Sequence, residues 1–419
     1  MVRALVFGLG CVWTASAYAG PGDHIRVGEA TITPSISLGI EHSTNVYHAD
    51  SDVVGGTDFR LAPGLQIGVD GPDLRFSLSG EYELRKYFQP SLTSLDRFSD
   101  FQIGTSLEAL RRGPIGFGIA DSIGLRNSPT DIPSSDAPFQ TQFRNQLDGS
   151  VNIRPGSALQ IRLGGRWAFD DIQVASGITS SRAFNRKHSG GPTLAVEWNF
   201  FPRTAVLLDG SYEFHRWGEN VIDTVDSATS DSLGDELAKP DSDHFRISLG
   251  MQGRVTQKIV VVLRAGYGFA NYDEASVDGG ESASTEGYAE DLRGAEHLLL
   301  NASFRYDFSE RDQFVLGYEK DFNDVFFSNY AAYHRVFSRV NKRISKRFGT
   351  AGELGVRYED YAGEIARQDL FLEAEASFST YINDWADISL GAAFDRRGSS
   401  DPDVLYNDLN VYLRSNFVY

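Results

Sequence analysis

Residues 407–419 read NDLNVYLRSNFVY. Counted in twos, Leu409, Val411, Leu413, Phe417 and Tyr419 share one face. Asp408, Asn410, Tyr412, Arg414 and Asn416 share the other. Successive side chains of a β-strand point to opposite sides, so this is a strand with one apolar and one wet face. Such a strand suits the wall of a transmembrane barrel, with lipid outside and water inside. The reading requires the rest of the chain to supply the other strands.

From residue 31 onward it does. One unit recurs: an alternating run, then a connection. Ile32, Ile36, Leu38 and Ile40 form the first apolar face. The cleanest run sets Leu74, Phe76, Leu78, Tyr82 and Leu84 against Arg75, Ser77, Ser79, Glu81, Glu83 and Arg85, after a tight turn at Asp70-Gly71-Pro72-Asp73. About 18 runs follow one another at roughly 22 residues per run and connection, which is the spacing of strands tilted across a bilayer. Long and short connections alternate. Only 326–344 is irregular in register. The expected fold is all-β: a transmembrane antiparallel up-and-down β-barrel of 16 or 18 strands, with 18 the better fit. A β-sandwich has no need for alternating loop lengths, and a solenoid would repeat a motif that is absent here.

Composition agrees. The 419 residues include 42 glycines and 12 % aromatics, yet mean hydropathy is only -0.28. Past the N-terminus no run approaches the roughly 18 apolar residues of a spanning helix. Residues 1–19 read as a cleaved signal peptide, with Arg3, a short apolar core and Ala17-Tyr18-Ala19 as the cleavage site. Residues 20–30 are then a periplasmic lead-in and 31–419 the barrel. The single cysteine, Cys11, lies in the signal segment, so neither a disulfide nor a thiolate metal site is expected. A net charge of -18 argues against nucleic acid, whose phosphates would be repelled.

The expected location is the bacterial outer membrane, with the short turns periplasmic and the long loops outside. Lipid and lipopolysaccharide then surround the wall. Trp198, Phe200, Phe308, Phe417 and Tyr419 fall at one interface, and Trp167, Phe169, Phe214 and Phe269 at the other, as amphipathic rings prefer the headgroup level.

Signals for chemistry are thin. His42-Ser43-Thr44-Asn45 is similar to the His-x-Ser-Asn element of outer-membrane lipid hydrolases, but the serine is one place off. His188-Ser189-Gly190-Gly191 has no defined third partner. The eight histidines show no metal-ligand spacing. Asp50/Asp52, Asp241/Asp243 and Asp401/Asp403 could hold calcium only weakly and read first as solvated charge. No enzymatic role, cofactor or metal is expected.

The inward face is richer. Parity turns Arg75, Glu81, Glu83, Arg85, Arg162, Arg166, Arg246, Arg264, Arg305, Arg357 and Arg414 into the lumen. A barrel of this size is too wide for side chains alone to fill, so these charges line water and tune solute preference. The lumen is water-filled unless loops fold in, and the acidic loops 218–243 and 271–296 are the candidates for constriction or plug. The periplasmic turns are basic, with Arg111, Arg112, Arg154, Arg203, Lys258, Arg311, Lys342, Arg343, Lys346 and Arg347. That rim suits anionic lipid, an acidic polymer or a periplasmic partner.

Thr33-Pro34-Ser35-Ile36-Ser37-Leu38-Gly39, then Asn45-Val46-Tyr47 and Ala62-Pro63-Gly64-Leu65, resemble the β-barrel porins found with exopolysaccharide biosynthesis loci. The resemblance implies an outer-membrane channel for a secreted polysaccharide, working with periplasmic export components. Phe417-Val418-Tyr419 likewise resembles the recognition signal of the outer-membrane assembly machinery, with Tyr419 in place of the commoner Phe. A general diffusion porin, a lipid hydrolase and a surface receptor or adhesin are the competing expectations.

Overall fold

The computed structural model describes residues 24–97, 99–129, 139–175, 186–218, 237–238, 241–273, 278–279, 294–309, 312–325, 329–362 and 367–419. The signal peptide, Cys11 and most of the two long acidic loops lie outside the described residues. The strands are β1 (Ile25–Val27), β2 (Ala30–Ser43), β3 (Gly56–Asp70), β4 (Leu74–Tyr87), β5 (Asp100–Ala109), β6 (Ile115–Pro129) and β7 (Phe139–Ile153). They continue as β8 (Leu159–Ala175), β9 (Arg186–Phe201), β10 (Thr204–Trp217), β11 (Leu237–Ala238), β12 (Ser242–Arg254), β13 (Ile259–Tyr272) and β14 (Asp278–Gly279). The last are β15 (Gly294–Asp307), β16 (Gln313–Asp324), β17 (Tyr330–Arg343), β18 (Phe348–Tyr361), β19 (Gln368–Asn383), β20 (Ala386–Ser399) and β21 (Tyr406–Val418).

Apart from β1 and the two-residue ladder β11–β14, these strands form one closed antiparallel barrel of eighteen. Each barrel strand pairs with its neighbours in sequence, and the last meets the first. β2 runs along β3 from Ala30↔Val69 to Ser43↔Gly56, and along β21 from Ser35↔Val418 to Ser43↔Asn410. The tight turns form where glycine, proline and aspartate predict them. After β3, for example, the Gly71 N–H donates to the Leu74 carbonyl at 2.8 Å. Part of the lead-in is itself a strand: β1 folds back on β2.

The two faces divide as the alternation requires. Leu249, Leu263, Leu298 and Leu390 are each more than half exposed and share the outer parity, which is the reverse of a water-soluble protein. No helix among the described residues is long and apolar enough to cross a membrane. The crossing is made by strands. In the closing strand, Tyr412 faces inward and its hydroxyl donates to Glu375 at 2.6 Å. The outward Phe417 lies 6.3 Å from the Trp385 ring, in the interfacial band.

One expectation needs correction. Connection lengths do not alternate strictly, because 325–329, 362–367 and 400–405 on the outer side are short. The span of irregular register, 326–344, contains the expected strand, β17, and the departure from the wall lies in its neighbour β16. β16 pairs with β15 from Asp307↔Gln313 to Leu300↔Lys320 and then leaves it. Asp321 to Asp324 remain paired with β17 only, while Leu299 to Gly294 of β15 remain paired with β13 only.

The freed end of β16 folds over the inner wall. Phe322 has the outward parity of Phe314, Leu316 and Tyr318, yet it is fully buried among Ala270, Tyr272, Ala295, Leu299 and Tyr330. Gly268 leaves the space, since a Cβ there would stand 2.5 Å from the Phe322 ring. This stretch of wall carries small and apolar inward side chains, and covering them removes apolar surface from a wet lumen. The end of β16 thus lies against the inner wall, whereas loops 218–243 and 271–296 fall mostly outside the described residues.

Candidate functional site

The inner wall carries charge in pairs, and exposure separates them into two kinds. Arg166 and Asp148 meet at 2.9 Å with both side chains well exposed, as do Arg75 and Asp70 at 3.0 Å. Such hydrated pairs contribute about 0–1 kcal/mol, so their effect is on the field in the lumen more than on stability. In contrast, Asp369 is fully buried between Arg367 at 2.8 Å and Arg397 at 2.7 Å.

The structure gathers some of the expected lumen residues and disperses others. A cavity of about 730 Å³ at the short-turn end is lined by Arg75, Arg111, Arg112, Arg154 and Arg162 against Asp70 and Glu108. A second, of about 450 Å³, is lined by Arg162, Arg166, Arg246, Arg264 and Lys320 against Asp209, Glu319 and Asp321. Arg162 belongs to both, so the two join into one basic strip from the rim to mid-barrel. Five basic side chains face two acidic ones in the first cavity and three in the second, inside a chain of net charge -18.

Other flanks differ. Glu81 and Glu83 line a 460 Å³ cavity with Asp100, Arg126 and Arg144. Arg85 holds Glu83 at 3.0 Å, Arg305 holds Asp307 at 3.1 Å and Arg414 holds Glu41 at 3.1 Å. Arg357 pairs with Glu359 and lies 4.4 Å from the Phe371 ring, with Arg397 5.1 Å from the same ring.

Above the strip sits the end of β16. Arg246 pairs with Asp321 at 3.2 Å and donates to the Phe322 carbonyl at 2.7 Å. Asp324 reaches His215 on β10, His244 on β12, Tyr272 on β13 and Lys187 on β9. Strands that are not neighbours in the wall thus meet inside the barrel.

Among solved structures, the FrpB iron transporter from Neisseria meningitidis (F3-3 variant) is similar with a TM-score of 0.52 at 7% identity, over 89% of this chain and 63% of that one. The copper transporter OprC is similar with a TM-score of 0.50 at 9% identity, over 91% and 63%. The chain thus spans less than two thirds of the length of either. The sequence matches no protein-family model and no curated protein. At these identities the likeness is one of fold. The chain is a multi-pass β-barrel of the bacterial outer membrane. Its short turns accordingly face the periplasm, and the basic strip begins on that side.

The weaker sequence signals acquire local partners. The Thr44 hydroxyl donates to Asp408 and accepts from the Leu409 N–H, stitching β2 to β21, while His42 pairs with Thr57. His188 packs 4.9 Å from the Phe169 ring. Two groups escaped the sequence reading. Arg60, held between Glu41 at 2.9 Å and Asp58 at 2.9 Å, was open to it, because Phe59 and Leu61 fix its inward parity. His215, His244 and Asp324 were not, because their meeting depends on β16 leaving the wall.

Proposed function

We propose that this barrel is a channel for anionic solutes, and that the solute is a secreted acidic polysaccharide leaving the periplasm. The basic strip carries the reading: Arg162 is shared by two cavities, each with more arginine and lysine than carboxylate. Guanidinium groups bind carboxylates and sulfates bidentately. Here they sit in hydrated pairs worth about 1 kcal/mol or less, so a passing anion competes for them and leaves again. A field of this sign also raises the local concentration of an acidic polymer at the periplasmic rim. Arg111 and Arg112, at that rim, are the proposed contact for periplasmic export components. The mechanism is passage along hydrated charge, and it requires no bond-making at the wall. The second reading is a general diffusion porin for small anions, which the same strip would serve.

Reversal potentials in planar bilayers test the channel. The native barrel is expected to prefer chloride over potassium, and Arg162→Glu with Arg166→Glu to invert that preference. A selectivity that ignores the double variant would remove the strip from the mechanism. Deletion of the gene decides the solute. Polymer trapped in the periplasm with unchanged small-anion permeability supports export. Slowed small-anion uptake with normal surface polymer leaves the diffusion porin.

A further inference from the structure

Three side chains that the channel reading does not use converge under the folded-in end of β16. His215 comes from β10, His244 from β12 and Asp324 from β16, and one ligand-type atom from each lies within 4.8 Å of the others. The His215 Nδ1 faces one Asp324 oxygen, and the His244 Nε2 stands 3.0 Å from the other. The two rings stack at 4.3 Å. Both histidines are buried, His244 almost completely.

The surroundings of His215 and Asp324 are those of a metal centre, and His244 departs from them at both nitrogens. Histidine ligands are held by a carboxylate or carbonyl on the ring nitrogen that does not touch the metal, and ligating carboxylates are themselves hydrogen-bonded. Here Glu213 lies 3.4 Å from the His215 Nε2, the nitrogen turned away from Asp324. The Tyr272 hydroxyl donates to Asp324 at 2.9 Å. The Ser242 hydroxyl is 3.1 Å from the His244 Nε2, the nitrogen that faces Asp324, and an entering ion would displace it. Phe322 and Tyr272 wall the His244 ring, at 5.7 Å and 5.8 Å. The His244 Nδ1 is buried with no hydrogen-bond partner among the described residues, so this ring is placed by packing and by what its Nε2 holds.

One group opposes a cation. The Lys187 ammonium stands 3.4 Å from Asp324, and it also lies over the Trp217 ring at 5.0 Å. An entering ion would take the carboxylate from Lys187 and leave the ammonium on that ring.

We propose that His215, His244 and Asp324 form a site for a divalent transition metal that ties the end of β16 to β10 and β12 across the lumen. Two imidazoles and one carboxylate suit zinc and its first-row neighbours, whereas magnesium and calcium prefer all-oxygen sites. With three protein ligands, a fourth position stays open to water. The inference stands whichever solute the channel carries.

The test uses the full barrel, refolded without a histidine tag, with cobalt as a spectroscopic probe and zinc in calorimetric titration. One equivalent of cobalt with visible ligand-field absorption, displaced by zinc, is expected. His215→Ala with His244→Ala should abolish both, and His188→Ala should change neither. Glu213→Gln should weaken zinc binding by about tenfold while the barrel keeps its folded electrophoretic mobility, an effect that a purely structural latch would not give. Absence of stoichiometric binding in the native barrel overturns the site. So does equal binding by the double histidine variant.

Discussion

Asp369 and Asp148 are both inward aspartates paired with arginine, and their environments give them opposite weight. Asp148 shares its charge with water, whereas Asp369 is fully buried and holds two guanidiniums. Removing one partner from a buried ionic group strands the remaining charges where water cannot reach them. Asp369→Ala is therefore expected to cost about 3–5 kcal/mol, and Asp148→Ala about 0–1 kcal/mol. Urea unfolding in phospholipid vesicles, followed by tryptophan fluorescence, measures both. Equal costs would show that the two pairs sit in the same dielectric. Period-two counting places all inward residues alike, so it cannot separate the two cases. Exposure separates them, and exposure is set by what else occupies the lumen.

Among the elements, the short helix Pro90–Arg97 closes the connection after β4. It seats Leu92 and Leu95 on Val46 and Tyr87, so the valine of the Asn45-Val46-Tyr47 motif is a packing residue. The asparagine beside it exchanges two hydrogen bonds with Ala49 and is buried against β21. Asp96 clips the helix down by accepting from the Tyr87 N–H at 2.7 Å and from the Lys86 ammonium. Burial alone would raise the Asp96 carboxyl, but these two donors outweigh it and hold it below its usual value of 3.8. With the folded value depressed, the unfolded chain binds the proton more readily, so the clip stabilises above about pH 4 and fades as the pH falls through the folded value. Hydrogen-exchange protection of residues 90–97, relative to the intrinsic rate at each pH, should be high at pH 7 and low near pH 3. In Asp96→Asn it should be low at both. Protection that persists at low pH would leave the clip to Leu92 and Leu95 alone.

For the whole molecule, the decisive quantity is which medium each face meets. The outer face is apolar because it meets hydrocarbon, and the inner face is charged because it meets water. Leu263, exposed on the outer face of β13, and Arg264, inward beside it, are neighbours in sequence that answer to different solvents. Leu263→Arg should destabilise the barrel by about 2–4 kcal/mol if it lies near the bilayer midplane, and Arg264→Leu much less. The same vesicle unfolding experiment reads both. Comparable losses would contradict the assignment of faces.

Alternation, turn residues and spacing were enough to determine the barrel and to narrow it to 16 or 18 strands, of which the structure has eighteen. These follow from local rules, since a strand's two faces are set by its own residues and a tight turn by its own backbone. The closing strand was legible for that reason, down to its outward Phe417 and inward Tyr412. The folded-in end of β16 was decided only by tertiary structure. Asp321 to Asp324 keep the same period of two as the residues before them, but they exchange β15 for the inner wall as their neighbour. Phe322 carries an outward parity and is nonetheless buried inside. His215, His244 and Asp324 are far apart in the chain, and no spacing rule links them. They meet because the barrel closes and one strand end leaves its place in the wall, and the apolar packing around that end involves residues from four strands at once.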